Sequence, residues 1–146
     1  MSVVEIDWQG HVAHVVLSRP ERINAINADL IDAIIDAGRQ VEARRECRAV
    51  VISGAGRGFC SGIDLDSLRA ASAGKGRAID INTDVANGAN AAQHAVMLWR
   101  ALPVPVIAGV HGPALGGGFQ LGRDRSAPRC SRDRLAPPRA SRLEGT

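Results

Sequence analysis

The 146 residues allow one domain, or part of a larger one, and apolar residues make up 45%, enough for a core although aromatics are only 3%. No apolar run reaches membrane-spanning length, and Glu5 and Asp7 stand where a signal peptide would be apolar, so the expected location is cytoplasmic, with no membrane partner. The net charge of +3 divides unevenly: residues 1–121 carry 11 Lys and Arg against 12 acids, and residues 122–146 carry 7 Arg against 3 acids. The basic character therefore belongs to the last 25 residues and does not describe what the main body binds.

Cys47, Cys60 and Cys130 form no CxxC pair, which argues against a zinc site and a disulfide framework. Runs 3–8 and 12–18 alternate as strands, with Gln9-Gly10 as a hairpin turn. Val12, His14 and Val16 share one face of the second strand, and Ala13, Val15 and Leu17 the other; His14 reads as a satisfied strand histidine. Arg19-Pro20 ends that strand, because proline cannot donate to a ladder. Asn27 is a candidate N-cap for a helix over 28–45, where Leu30, Ile31, Ile34, Ile35 and Val41 recur at helical spacing. Acids lead this helix and Arg44-Arg45 trail it, as the helix dipole favours.

The run 49–53 is continuously apolar and reads as a strand buried on both faces. Three readings compete for the glycine-rich stretch that follows it. A dinucleotide fingerprint fails at position 59, where Phe replaces the third glycine. Gly58-x-Cys60-x-Gly62 would suit a nucleophile elbow, as in a cysteine hydrolase of the dienelactone type, but the strand ends seven residues before the thiol. The third reading is a loop presenting backbone N–H groups beside Gly62, with a short helix from Asp64. Residues 71–77 form a surface loop, and 82–102 have a helical pattern carried by Val85, Ala89, Ala92, Val96 and Trp99, with His94 a structural member. Pro103 and Pro105 stop it and launch a buried strand over 106–110.

Next come His111-Gly112-Pro113-Ala114 and the triplet Gly116, Gly117, Gly118, leading into Phe119, Gln120 and Leu121. A glycine triplet between a strand and an apolar helix start lets a ligand approach the backbone, where unpaired N–H groups can polarise a carbonyl or hold a phosphate. The bland reading is a packing turn. The overall order is α/β, with two glycine-rich turns, each after a buried strand; two N–H donors brought together could make an oxyanion hole.

Three blocks, 17–25 (LSRPERINA), 58–65 (GFCSGIDL) and 105–118 (PVIAGVHGPALGGG), together resemble the enoyl-CoA hydratase/isomerase family, the crotonases, from about residue 3 to 121. The resemblance implies a crotonase-like (ClpP/crotonase) spiral of ββα units, here truncated, that assembles as a homotrimer or a dimer of trimers. It implies a lyase or isomerase of fatty acid metabolism acting on an acyl-CoA thioester, with coenzyme A entering as part of the substrate and no separate cofactor or metal. The oxyanion donors it assigns are the backbone N–H groups of Ile63 and Gly117, so the side chain at 63 is free to vary. It places Arg22, Asn24 and Ala25 along the CoA nucleotide, and Ser61, Asp64, Leu65 and Asp66 along the acyl-pantetheine channel beside Gly116.

Two departures stand out. Gln120 occupies the position where hydratases and many isomerases carry an acid, and an amide neither takes nor gives a proton at neutral pH. The likeness also stops near Leu121, where the family continues for about as long again. Residues 122–146 hold seven Arg, three Pro and no Lys, a disorder-prone composition. They contain no Phe, Tyr or Trp to stack on bases, which argues against a nucleic-acid tail. The reading adopted is a partial crotonase-like domain over 1–121, followed by a non-family tail read from a shifted frame of GC-rich coding DNA. An inactive chain, or a non-catalytic CoA-binding remnant, is then an expected outcome beside the enzyme.

Overall fold

A computed structural model describes residues 2–122; the tail assigned to 122–146 lies outside them from residue 123 onward. Strands β1 (Val4–Gln9) and β2 (Val12–Leu17) form the expected antiparallel hairpin. Gln9 pairs with Val12, so the two-residue turn is Gly10-His11, one residue later than expected, with Gly10 at φ +61°. A short 3₁₀ turn (Pro20–Arg22) follows, then α1 (Ala28–Ala43). The Asn27 side chain caps α1 by accepting from the Leu30 N–H at 2.9 Å. Leu30, Ile31, Ile34, Ile35 and Val41 are all buried, and each burial is worth about 1.5–3 kcal/mol relative to exposure.

Strand β3 (Ala49–Gly54), helices α2 (Leu65–Ser72) and α3 (Ala91–Ala101), strand β4 (Val106–Gly109) and helix α4 (Gly117–Gly122) complete the described chain. The sheet order is β1-β2-β3-β4, with β2, β3 and β4 parallel. Ala13, Val50 and Val106 are in register across three strands, as are Val15, Ile52 and Ala108. Ala13, Val15, Val50, Ile52 and Val106 from these rows form the core face, together with α1 and with Ala95 and Trp99 of α3.

Two expectations are corrected. β3 is buried on one face only: Val50 and Ile52 are buried, whereas Val51 and Ser53 are half-buried beside Val12, His14 and Val16. On this second face His14 Nε2 lies 2.9 Å from Ser53 Oγ, which satisfies the histidine as expected. The helix expected over 82–102 begins only at Ala91. Upstream, the Asp80 carboxylate accepts from the Asn82 and Thr83 N–H groups, and Asn87 and Gly88 take φ of +51° and +82°. Asn90 and Gln93 then form a reciprocal capping box. Local side-chain capping here outcompetes an apolar period that included the exposed Val85.

Because β2, β3 and β4 are parallel, their C-terminal ends lie at one edge of the sheet. Block 17–25 begins there, block 58–65 lies in the loop that leaves β3 there, and block 105–118 runs through β4 to the same edge, the usual place for a ligand in an α/β sheet.

Candidate active site

Three loops leave that edge: 18–27 after β2, 55–64 after β3 and 110–116 after β4. The middle loop runs as an extended ribbon between the other two. On one side Ser61 N–H donates to Ile23 O (2.9 Å), Ile26 N–H to Gly62 O (2.7 Å) and Asp64 N–H to Ile26 O (2.9 Å). On the other, Phe59 N–H donates to His111 O (2.8 Å), Cys60 N–H to Pro113 O (3.0 Å) and Leu115 N–H to Cys60 O (2.9 Å). The sequence blocks are thus joined in space by backbone pairing.

Glycine is required where the ribbon meets α4. A Cβ on Gly118 would stand 2.5 Å from Cys60 Cβ and 2.8 Å from Cys60 O, and Gly62 holds φ at +90° with its Cα 3.8 Å from where a Gly116 Cβ would sit. Gly62 and Gly116 are therefore neighbours, each immediately preceding one of the two expected donors. Among the described residues, neither the Ile63 nor the Gly117 N–H has a hydrogen-bond acceptor. The Ile63 side chain is 51% exposed and makes no demand on the core.

An open cleft of about 410 Å³ lies along the ribbon, lined by Arg22, Ala25, Ser61, Ile63 and Leu65 among others. Arg57 and Arg69 also line it. Arg69 reaches Asp66 at 3.4 Å, whereas Arg57 has no carboxylate partner among the described residues. Ser61 Oγ donates to Arg22 O at 3.2 Å. Asp66, exposed, pairs with Arg22, and Leu65 is exposed on the first turn of α2.

Asn24 is buried away from the cleft, whereas Asp64 lines it while being heavily committed to internal partners. Asn24 is fully buried at φ +52°, its Nδ2 donating to the carbonyls of Ala55 (3.0 Å), Gly58 (3.0 Å) and Phe59 (3.1 Å). Its Oδ1 accepts from the Arg19 N–H at 2.8 Å. Asp64 is 3% exposed and caps α2 through the Ser67 N–H. It also takes ion pairs from Arg19 (2.9 Å) and Arg22 (3.0 Å). Burial would raise its carboxyl, but the hydrogen bonds from Arg22, Ser67 and Arg19 outweigh it and hold it well below the usual carboxylate range. Arg19 also donates to the Ala25 carbonyl. In sequence Arg19 marked a strand end and stood in the 17–25 block without an assigned role, and Arg57 and Arg69 carried no signal; their convergence depends on loops 40 or so residues apart.

The cysteine-hydrolase alternative does not fit. Cys60 is fully buried, its thiol donates to the Asn24 carbonyl at 3.1 Å, and burial pushes its pKa up, only partly opposed by the Gly62 N–H. No histidine serves it as a base: His14 faces Ser53, and His111 lies against Gly56 O. Gln120 is exposed on α4, and neither it nor the Gly116–Gly117 pair lines the cleft.

This ribbon of backbone donors over a three-stranded parallel edge coincides with a family model described as Enoyl-CoA hydratase/isomerase, which matches residues 7–123. The chain belongs to that family. It is 37% identical over 124 residues to the mitochondrial Delta(3,5)-Delta(2,4)-dienoyl-CoA isomerase of Rattus norvegicus, covering 77% of this chain and 35% of the relative. A probable enoyl-CoA hydratase of Mycobacterium bovis is 36% identical over 118 residues, covering 75% and 38%. An enoyl-CoA hydratase/isomerase from Xanthobacter autotrophicus Py2 superposes with a TM-score of 0.69 at 30% identity, covering 82% of this chain and 42% of that one. A monofunctional enoyl CoA isomerase from M. smegmatis gives 0.62 at 28% identity, covering 84% and 46%. The chain thus spans between a third and a half of the length of these relatives.

Proposed function

We propose that this chain binds an acyl-CoA thioester and polarises its carbonyl between the Ile63 and Gly117 N–H groups, as a hydratase/isomerase-type enzyme or as a part of one. The observation that carries this is a pair of backbone donors without an acceptor among the described residues, one in the β3 loop and one at the start of α4, brought together where Gly62 meets Gly116. Negative charge developing on the thioester oxygen during enolate formation would be met by donors already in place, each worth about 3–4 kcal/mol in sites of this kind. The acyl-pantetheine would run past Ser61 and Leu65. The anionic nucleotide end would lie near Arg22 and Arg57, the latter a cation with no carboxylate partner among the described residues. Arg22, already engaged by Asp64 and Asp66, is the weaker candidate. No separate cofactor enters this scheme.

Gln120 sets a limit on the chemistry. Its amide can hold a water or a carbonyl by hydrogen bonding but cannot shuttle a proton. That favours a second reading in which the chain binds and polarises the thioester without hydrating it, as a CoA-binding remnant would. A homotrimer or dimer of trimers, a cytoplasmic location and a family portion ending near residue 121 belong to the same proposal. No described helix is long and apolar enough to cross a membrane.

Calorimetry with crotonyl-CoA, alongside circular dichroism of the same sample, tests the reading. Saturable binding to a folded chain, tighter than for free CoA, is expected. A folded chain that does not bind, or that binds both ligands equally, rules out a working oxyanion hole.

A further inference from the structure

We propose that Asn24 is a positioning residue: without touching substrate, it sets the direction in which the Ile63 N–H points. The inference rests on the oxyanion-hole reading and deepens it.

Asn24 is the most heavily committed polar side chain of the site. Its two Nδ2 hydrogens are shared among three carbonyls of the middle loop, Ala55, Gly58 and Phe59, and its Oδ1 holds the Arg19 N–H. Its own carbonyl receives the Cys60 thiol. Turning these three carbonyls inward fixes the peptide planes after Ala55, Gly58 and Phe59. Flanking residues continue the same grip, Ile23 O on Ser61 N–H and Ile26 N–H on Gly62 O. The peptides on either side of Cys60, up to the Gly62 carbonyl that shares a plane with the Ile63 N–H, are thus referred to residues 23–26, while Cys60 itself is held by Pro113 and Leu115. The side chain can do this because Ile23 and Asn24 take φ of +50° and +52°, a left-handed pair that turns Asn24 under the ribbon. Asparagine tolerates that region better than most residues and supplies both donor and acceptor. A Cβ on Gly54 would stand 2.8 Å from Asn24 Nδ2, so β3 ends in the residue that leaves room for it. Donors aimed at a developing charge lose most of their value when misdirected by a fraction of an ångström.

The test uses 4-dimethylaminocinnamoyl-CoA, whose absorbance shifts to the red when its carbonyl is polarised. Asn24→Gly keeps the left-handed turn and removes the side chain. Val41→Ala, in the core of α1 and away from the loops, serves as a control for general destabilisation. Wild type and Val41→Ala are expected to give the full red shift. Asn24→Gly is expected to lose most of it, with binding weakened by no more than about fivefold, the scale of one neutral hydrogen bond. A full red shift in Asn24→Gly, or an equal loss in Val41→Ala, overturns the positioning role while leaving the oxyanion hole intact. Binding without a red shift in wild type overturns the oxyanion hole and the positioning role with it. If Asn24→Gly does not fold, Asn24→Asp decides the matter. Its carboxyl, buried against three carbonyls, has a raised pKa, donates only when protonated, and should give a red shift that falls as pH rises. A pH-independent, wild-type shift there overturns the proposal.

Discussion

Asp64 Oδ2 lies 2.9 Å from Arg19 Nη2, an ion pair between the residue after the expected donor Ile63 and the loop that leaves β2. The Asp64 side chain is 2% exposed and that of Arg19 13%, so solvent screens the pair little. The pair ties the start of α2 to the β2 loop, and Asp64 is at once ion-pair partner and helix cap.

Asp64→Asn keeps an N-cap residue and removes the charge, so it should cost about 2 kcal/mol, the scale of hydrogen bonds to charged groups. The native carboxyl titrates below its unfolded value of about 4, so its contribution is complete above that pH and disappears as pH falls through the native value. Urea denaturation should therefore separate wild type from Asp64→Asn at pH 7 and bring them together in strong acid. A constant gap across the acid range would refute the linkage.

Gly118→Ala forces a methyl to within 2.5 Å of Cys60 Cβ and 2.8 Å of its carbonyl oxygen. Neither atom is the end of a flexible side chain, so α4 must move. We expect a loss of about 1–3 kcal/mol in denaturant stability, the usual range for overpacking. An unchanged midpoint would mean that α4 is not held against the ribbon.

How much of this was legible in advance depends on the range of each signal. The Asn27 cap and the shared face of Ala13, Val15 and Leu17 are local periodicities and end signals, and they stood in the sequence as the structure has them; the hairpin did too, its turn displaced by one residue. The start of α3 was misplaced because Asp80 and Asn90 capture backbone groups that an apolar count ignores. Cys60 stood as a nucleophile-elbow candidate in a glycine-rich stretch, yet pairing on both sides of the ribbon buries it. The parts played by Asn24 and Asp64 rest on partners 30 to 45 residues away, and only the folded sheet edge reveals them.

Cys60 is expected to be inert as a thiol. Iodoacetamide labelling followed by peptide mass spectrometry should modify Cys60 slowly in the native chain and fully after denaturation. Rapid native labelling would revive a nucleophilic role.

Gln120→Glu installs a group that can carry a proton. With an acyl-CoA bound, solvent exchange of the α-proton should rise by about 10²-fold, the lower end of general acid–base effects. No change in exchange, read by NMR in deuterated buffer, would show that position 120 does not reach the ligand.

Arg57→Ala should weaken binding of a CoA thioester by about three- to tenfold at low salt, with the difference shrinking as salt rises. Equal affinities at low salt would place the phosphates elsewhere.

The sheet order β1-β2-β3-β4 repeats the order of the chain. Each strand is laid on the outer edge of one already synthesised, so no gap has to be held open for a later insertion. The same holds for the loops: the 23–26 turn exists before the ribbon that it grips, and the ribbon before the glycine triplet that closes over it. If the strands dock in the order they are made, the site is built from its foundation outward, and an error in the first loop would be inherited by everything added after it.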